Sequence, residues 1–306
     1  MPIIAYQSFN ANSSTNHGLA SVSDQQFTRE AKKRRIEAGD EVLQLPTGPD
    51  DLTMAIEGPA HLVPVDGSSQ KLSTINLVAG QISAVWQNVY RVKNQNMPDI
   101  MVCGELDISH TDFQSVVRGA LDIEASPQTR ACQSFSRISQ SKHGSQIKRL
   151  GFGAGYVVYS VLNLNVVFVH VPNSIAVKKG EVQIFYQSIA TSLLAGGKII
   201  HLVIGDTNQP SQGFTESALN EAFGITAYKN ALVGSGIEAT DIYQVKGTKK
   251  RPREGGTNST ATKMFDVAIY RSDVVKLVGE PIYLSQASTG QTATDHCGVV
   301  VEIEPT

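Results

Sequence analysis

Apolar positions along most of the chain fall into short alternating or continuous runs separated by turn formers. "KLSTINL" predicts a strand, "AGQISAVWQNVYRVKNQN" places its apolar residues near helical spacing, and "PDIMVCGELD" predicts a second strand. Strand, helix and strand in that order predict a layered α/β arrangement. Farther on, "GYVVYSV" and "NLNVVFVHVP" read as paired strands, and "KKGEVQIFYQSIATSLLAGG" as a helix closed by glycine. The strand "KIIHLVIGD" follows, then a mixed region to about residue 245 and the polar loop "KGTKKRPREGGTNSTATK". "MFDVAIYRSD" and "DHCGVVVEIE" predict two late strands, and no internal repeat is visible.

The first 70 residues have a different texture. A polar segment, "NANSSTNHGLASVSDQQ", overlaps a short helical candidate, "DQQFTREAKKRRIEAG", and Pro- and Gly-punctuated pieces come after it. No fold is predicted there, and the "KKRR" cluster reads as a solvated helix face. The expected organisation is an extension of uncertain fold over 1–70, able to contribute a strand, followed by one regular domain over 71–306.

Composition narrows the class. With 306 residues, 41% of them hydrophobic, the chain can bury a large core. The net charge of -2 does not by itself call for nucleic acid or an anionic membrane as partner. No run approaches the roughly 18 apolar residues that cross a bilayer, so no membrane partner is expected. The start "MPIIAYQSFNANSS" lacks a basic segment followed by a long apolar core. A soluble, cytoplasmic or otherwise intracellular protein is expected, with a nuclear address or signal-free export left open. Cys103, Cys132 and Cys297 are odd in number and far apart, which fits a reducing compartment and offers no zinc or redox pair.

Chemistry gathers at the predicted strand ends. "LVIGDTNQPS" runs from an apolar strand into Asp206 and Asn208, two positions apart and so expected on one side of the strand at its carboxyl end. Alone, "GDTN" reads as a turn. Yet "PDIMVCGE" delivers Glu105, "VVFVHVP" delivers His170, "MFDVAIY" carries Asp266, and "TATDHCGVVVEI" sets Asp295 and His296 before the final strand. Five strand ends supplying an acid, amide or imidazole are hard to attribute to turns.

The ordered motifs resemble the endonuclease/exonuclease/phosphatase superfamily, the DNase I-like and AP-endonuclease-like metal-dependent phosphodiesterases. "STINL" resembles its "S/T-x-N" strand, "PDIMVCGE" its "PDIxxxQE", "VHVPNS" its "Y/HxPN", "GDTN" its "GDFN", "FDVAI" its "xDxI", and "TDHCGVVVEI" its "SDHxPVxxxI". The resemblance covers roughly 71–306 and departs from the pattern at Gly104, Thr207 and Thr294, none of which removes a chemical group. "YQSFNANS" also resembles the opening strand and offers Asn10, which lies 95 residues before Glu105, whereas Asn76 lies 29 before it. A single helix between the two strands suits the shorter gap, which favours Asn76.

The resemblance implies an α/β (α+β) fold, a DNase I-like four-layered α/β/β/α sandwich of two packed mixed β-sheets flanked by helices. It implies a Mg²⁺ (or Mn²⁺) site anchored by Glu105 and Asn76, and oxygen ligands of this kind suit such hard cations. It also implies catalytic roles for six residues. His296 acts as base or phosphate contact and is oriented by Asp266; Asp206 and Asn208 position water and phosphate; His170 donates to phosphate; and Asp295 completes the cluster. The tryptophan and "CDR" hallmarks of inositol phosphatases are absent, which leaves nucleic acid, DNA before RNA, as the implied substrate class and partner. The loop carrying Lys249, Lys250, Arg251 and Arg253 is expected to contact phosphates. The competing expectations are a phosphoesterase acting on a small-molecule or lipid phosphate, and a non-catalytic nucleic-acid-binding protein of this fold. Protein partners are not implied.

Overall fold

The computed structural model describes residues 1–9, 43–45, 54–56, 93–106, 121–124, 134–194, 196–209, 212–231, 265–284, 296 and 298–306, with single positions at 82, 85, 86, 89, 90 and 117. Strands in chain order are β1 (Ile3–Ser8), β2 (Leu43–Leu45), β3 (Met54–Ile56), β4 (Ile100–Gly104), β5 (Leu121–Glu124), β6 (Phe135–Gln140), β7 (Ile147–Gly153) and β8 (Tyr156–Val161). They continue with β9 (Leu164–His170), β10 (Leu202–Asp206), β11 (Tyr228–Asn230), β12 (Asp266–Arg271), β13 (Val275–Leu277), β14 (Ile282–Leu284) and β15 (Gly298–Pro305). Among the described residues, the α-helices with defined ends are α1 (Asn173–Ala176), α2 (Lys179–Leu194) and α3 (Gln212–Phe223), and a 3₁₀ helix spans Ser141–Gln146.

Two mixed sheets carry the fold. One has seven strands in the order β13-β15-β1-β4-β6-β5, with β14 also paired to β15; the other has six in the order β11-β12-β10-β9-β8-β7. In the first, β1 runs parallel to β4 and antiparallel to β15. In the second, β10 runs parallel to β9 and antiparallel to β12. Among the described residues, the short strands β2 and β3 pair with each other and with no other strand.

Strand alternation explains how the layers meet. Ile4 and Tyr6 of β1, Ile100 and Val102 of β4, Val166 and Phe168 of β9, Leu202 and Ile204 of β10, and Ala268 of β12 share one core between the sheets. The intervening Val167, Val169, Val203, Val267 and Ile269 point the other way, into a second core with Val182, Tyr186, Ile189 and Leu193 of α2 and Ala218 and Leu219 of α3. A strand buried on both faces is apolar throughout, which is why "NVVFV" and "LVI" show no polar alternation.

The outer face of the seven-stranded sheet is also covered. Ala5, Met101, Cys103 and Val300 point away from the intersheet core yet are fully buried. Helical positions Ile82, Val85, Trp86 and Val89 are buried at i, i+3, i+4 and i+7 spacing, as expected of a helix laid on a sheet. Just beyond, Lys93 Nζ pairs with Glu302 Oε2 on β15 at 3.1 Å. Helix, sheet, sheet and helix are thus stacked as the motif resemblance implied: the DNase I-like sandwich is the observed fold.

Several sequence expectations change in detail. The strand expected from Lys198 begins only at Leu202, because Gly196 and Gly197 turn the chain and His201 instead donates its main-chain N–H to Asn165 O. The mixed region to about 245 contains α3 and β11. The N-terminal segment supplies β1, the strand between β15 and β4. The strand expected at 71–77, the helix expected at 24–39 and the basic loop at 246–263 lie outside the described residues.

Candidate active site

Parallel pairing brings four strand ends to one rim. Ser8 ends β1 opposite Gly104 of β4, and Asp206 ends β10 opposite His170 of β9. Because β12 is antiparallel to β10, its first residue, Asp266, faces Asp206 directly. His296 precedes β15, whose start lies beside the end of β1, and Gln7 Nε2 holds the His296 carbonyl at 3.0 Å. Counting in steps of two from the intersheet residues, His170, Asp206 and Asp266 all point between the sheets at this rim.

The groups form a chain of close approaches. His296 Nδ1 lies 3.1 Å from Asp266 Oδ2 and 3.7 Å from Asp206 Oδ2. His170 Nε2 lies 3.8 Å from Asp206 Oδ2, and its Nδ1 is 3.6 Å from Glu105 Oε1. Ser8 Oγ donates to Glu105 Oε2 at 2.6 Å. A carboxylate only accepts, so an ionised Asp266 assigns the Nδ1 proton to His296 and leaves Nε2 on the opposite side of the ring. The Phe265 ring stacks on the His296 imidazole, with centroids 6.5 Å apart.

Backbone geometry at the rim is unusual. Glu105 and Asn208 both have left-handed φ, 55° and 52°, a region that non-glycine residues rarely occupy. Gly205 has φ 143°, and a Cβ there would overlap the Val169 carbonyl oxygen and lie 2.8 Å from Val169 N. Only glycine lets β10 approach β9 closely enough to bring Asp206 beside His170.

One expectation is corrected. Asp206 and Asn208 do not project together from a continuing strand, because β10 ends at Asp206 and the chain turns. Asp206 Oδ1 accepts the Asn208 main-chain N–H at 2.7 Å, and Asn208 Nδ2 donates to Val171 O at 2.9 Å. The Asx-type turn and the site are the same structure: the carboxylate that shapes the turn directs its other oxygen toward both histidines.

Among the described residues, Asp206, Asp266 and His296 form a group whose ligand atoms lie within 4.8 Å of one another. A carboxylate-rich donor set with one imidazole, joined through His170 to Glu105, fits Mg²⁺ or Mn²⁺ better than a thiophilic ion. Glu105, expected as the metal anchor, stands next to this group rather than within it. Asn76, Asn10, Asp295, Lys249, Lys250, Arg251 and Arg253 lie outside the described residues.

Sequence reasoning missed Tyr6, Gln7 and Ser8 as site components. Tyr6 is fully buried, and burial first, then the charges of Asp206, Asp266 and Glu105, hold its hydroxyl well above its ordinary pKa. The nearby Asp206 backbone works in the opposite direction. The available signal was the run "IIAYQS", whose polar members Tyr6 and Ser8 share one face of a strand with apolar Ile4.

No family model matches the chain, and no curated protein matches it. Among solved structures it is similar to a humanized D. rerio TDP2, at 10% identity over 99% of this chain and 98% of that one, with a TM-score of 0.47. It is also similar to an AP endonuclease from Archaeoglobus fulgidus, at 12% identity over 74% of this chain and 95% of that one, with a TM-score of 0.46. For the human Nocturnin catalytic domain the identity is 11%, over 74% and 87% of the two chains, with a TM-score of 0.42. Identities this low transfer no residue role, and the fold rests on the strand order itself.

Proposed function

We propose that the chain is a divalent-cation-dependent phosphodiesterase, and specifically an endonuclease that hydrolyses DNA. The observation that carries this reading is the convergence of Glu105, His170, Asp206, Asp266 and His296 on one rim, with His296 Nδ1 3.1 Å from Asp266. Two imidazoles interleaved with three carboxylates combine proton-transfer groups with donors for a hard cation. A structural ion-pair network has no need of five strand ends.

Glu105 and the carboxylates of Asp206 and Asp266 are the residues that would hold Mg²⁺ or Mn²⁺, completed by Asn76 and Asp295. The bound cation would supply Lewis-acid polarisation of a phosphoryl oxygen. Asp266 orients His296, whose Nε2 meets the phosphate or the attacking water. Asp206, already fixed by the Asn208 amide, accepts the proton of that water. His170 donates to a phosphate oxygen from between Glu105 and Asp206. Lys249, Lys250, Arg251 and Arg253 add sequence-independent attraction to the nucleic-acid backbone.

Supercoiled plasmid incubated with purified protein and Mg²⁺, with and without EDTA, tests the reading. Relaxation or linearisation that EDTA abolishes, and that His296→Ala lacks, supports it. A plasmid and an RNA both left intact by the wild type overturn it.

A further inference from the structure

Among the described aromatic residues of the intersheet core, Tyr6 is the one whose polar end is acted on by the carboxylates of the rim. Its ring belongs to the apolar layer between the sheets, on the same face as Ile4, Ile100 and Val102. Its hydroxyl is fully buried and, among the described residues, donates no hydrogen bond, while the Asp206 main chain acts on it as a donor. The groups that act on it electrostatically are Asp206, Asp266 and Glu105, the three carboxylates of the rim. A buried hydroxyl left without an acceptor costs about 1–3 kcal/mol, so its retention on the intersheet face, against Gly104 at the rim, needs a reason.

The neighbouring strand is shaped around it. Tyr6 pairs with Val102 and Ser8 with Gly104, so Gly104 lies diagonally ahead of Tyr6 on the same face. A Cβ at Gly104 would overlap the Tyr6 hydroxyl oxygen and lie 2.8 Å from Cζ and 3.1 Å from Cε2. Any side chain at 104 would therefore displace the phenol. The next residue is Glu105, held on its other side by Ser8 of the same strand as Tyr6.

We propose that Tyr6 is a positioning residue of the site, its hydroxyl donating into the carboxylate cluster from below, to Asp206 first, and that position 104 is glycine to leave room for that donor. Three carboxylates converging at one rim repel one another and compete for the same histidines. A fixed neutral donor on their buried side takes up one acceptor direction and leaves the remaining oxygens turned outward. Tyr6 acts through these carboxylates and touches no substrate. The proposal rests on the cation-dependent reading above.

The test compares wild type, Tyr6→Phe, Gly104→Ala and the double variant in two readouts: Mn²⁺ affinity by titration calorimetry, and plasmid cleavage with KM and kcat resolved. Tyr6→Phe keeps the ring and should leave the melting temperature close to wild type. It should weaken Mn²⁺ binding about tenfold and lower kcat with KM little changed. Gly104→Ala keeps the hydroxyl but pushes it aside, and should produce the same two losses. Because both changes remove one interaction, the double variant should lose no more Mn²⁺ affinity than the worse single variant. Wild-type Mn²⁺ binding by Tyr6→Phe, or losses that add in the double variant, overturn the proposal. If the wild type binds Mn²⁺ but cuts neither DNA nor RNA, the nuclease reading fails and the calorimetry still decides the role of Tyr6. If the wild type binds no Mn²⁺, both fall.

Discussion

His296 Nδ1 lies 3.1 Å from Asp266 Oδ2, although the two residues enter the site from different strands of different sheets. Asp266 is fully buried, and His296 is partly exposed at the rim. A carboxylate fixed inside the sandwich therefore sets the tautomer and orientation of an imidazole that substrate can reach. Replacing the carboxylate by an amide, Asp266→Asn, keeps the shape and changes the hydrogen-bond partner offered to Nδ1. We expect plasmid cleavage to fall on the order of 10²-fold or more, as for loss of a positioned acid or base, with little change in the circular dichroism spectrum. Cleavage within a few-fold of wild type would contradict the pairing.

Gly205 is required by backbone geometry. Its φ of 143° and the Val169 carbonyl against its missing side chain leave Gly205→Ala no relaxed conformation. Urea denaturation should show a loss of about 2–4 kcal/mol, in the range of mutations that strain a special backbone position. An unchanged midpoint would mean that β9 and β10 separate at no cost.

His201 makes stability depend on pH. Its Nδ1 accepts the Asn165 main-chain N–H at 2.9 Å, and burial first, then the Arg271 charge, lower its pKa below the ordinary range. The folded state therefore binds a proton less readily than the unfolded chain. Stability from this group is present above about pH 6.5, the ordinary histidine value, and is lost as pH falls through the lower folded value. Urea midpoints measured near pH 7.5 and pH 5.5 should drop more for wild type than for His201→Asn. Equal drops would remove His201 as the cause.

The basic loop makes a separate, salt-readable prediction. Neutralising Lys249, Lys250, Arg251 and Arg253 together should raise KM for DNA and leave kcat nearly unchanged. On duplex DNA, the slope of log affinity against log salt should flatten by up to about 0.9 for each phosphate that the variant no longer neutralises. An unchanged slope would assign the loop to solvent alone.

Much of the second sheet was legible because both faces of β9 and β10 are apolar and their ends carry the acid and imidazole. What stayed hidden is polar but internally satisfied. In "SFSRISQ" of β6, buried Ser136 donates to Leu106 O, and buried Arg137 donates to Asp122 and Ser139, so hydropathy does not mark a core strand. In α3, Asn220 exchanges hydrogen bonds with the Tyr228 backbone and so makes a buried edge look like a loop. The place of β1 depends on pairing with β15 from the far end of the chain, which no local pattern encodes. Gly104 read as a departure from the motif; in the structure it is the space that the Tyr6 hydroxyl fills.

The proposed function requires these scattered side chains to surround one cation at one rim of the sandwich. Anomalous diffraction from crystals soaked in Mn²⁺ tests it most directly. A single strong peak about 2.0–2.3 Å from carboxylate oxygens of Glu105 or of the Asp206 and Asp266 pair is expected. A clean map at this rim, or manganese bound only elsewhere on the protein, would contradict it.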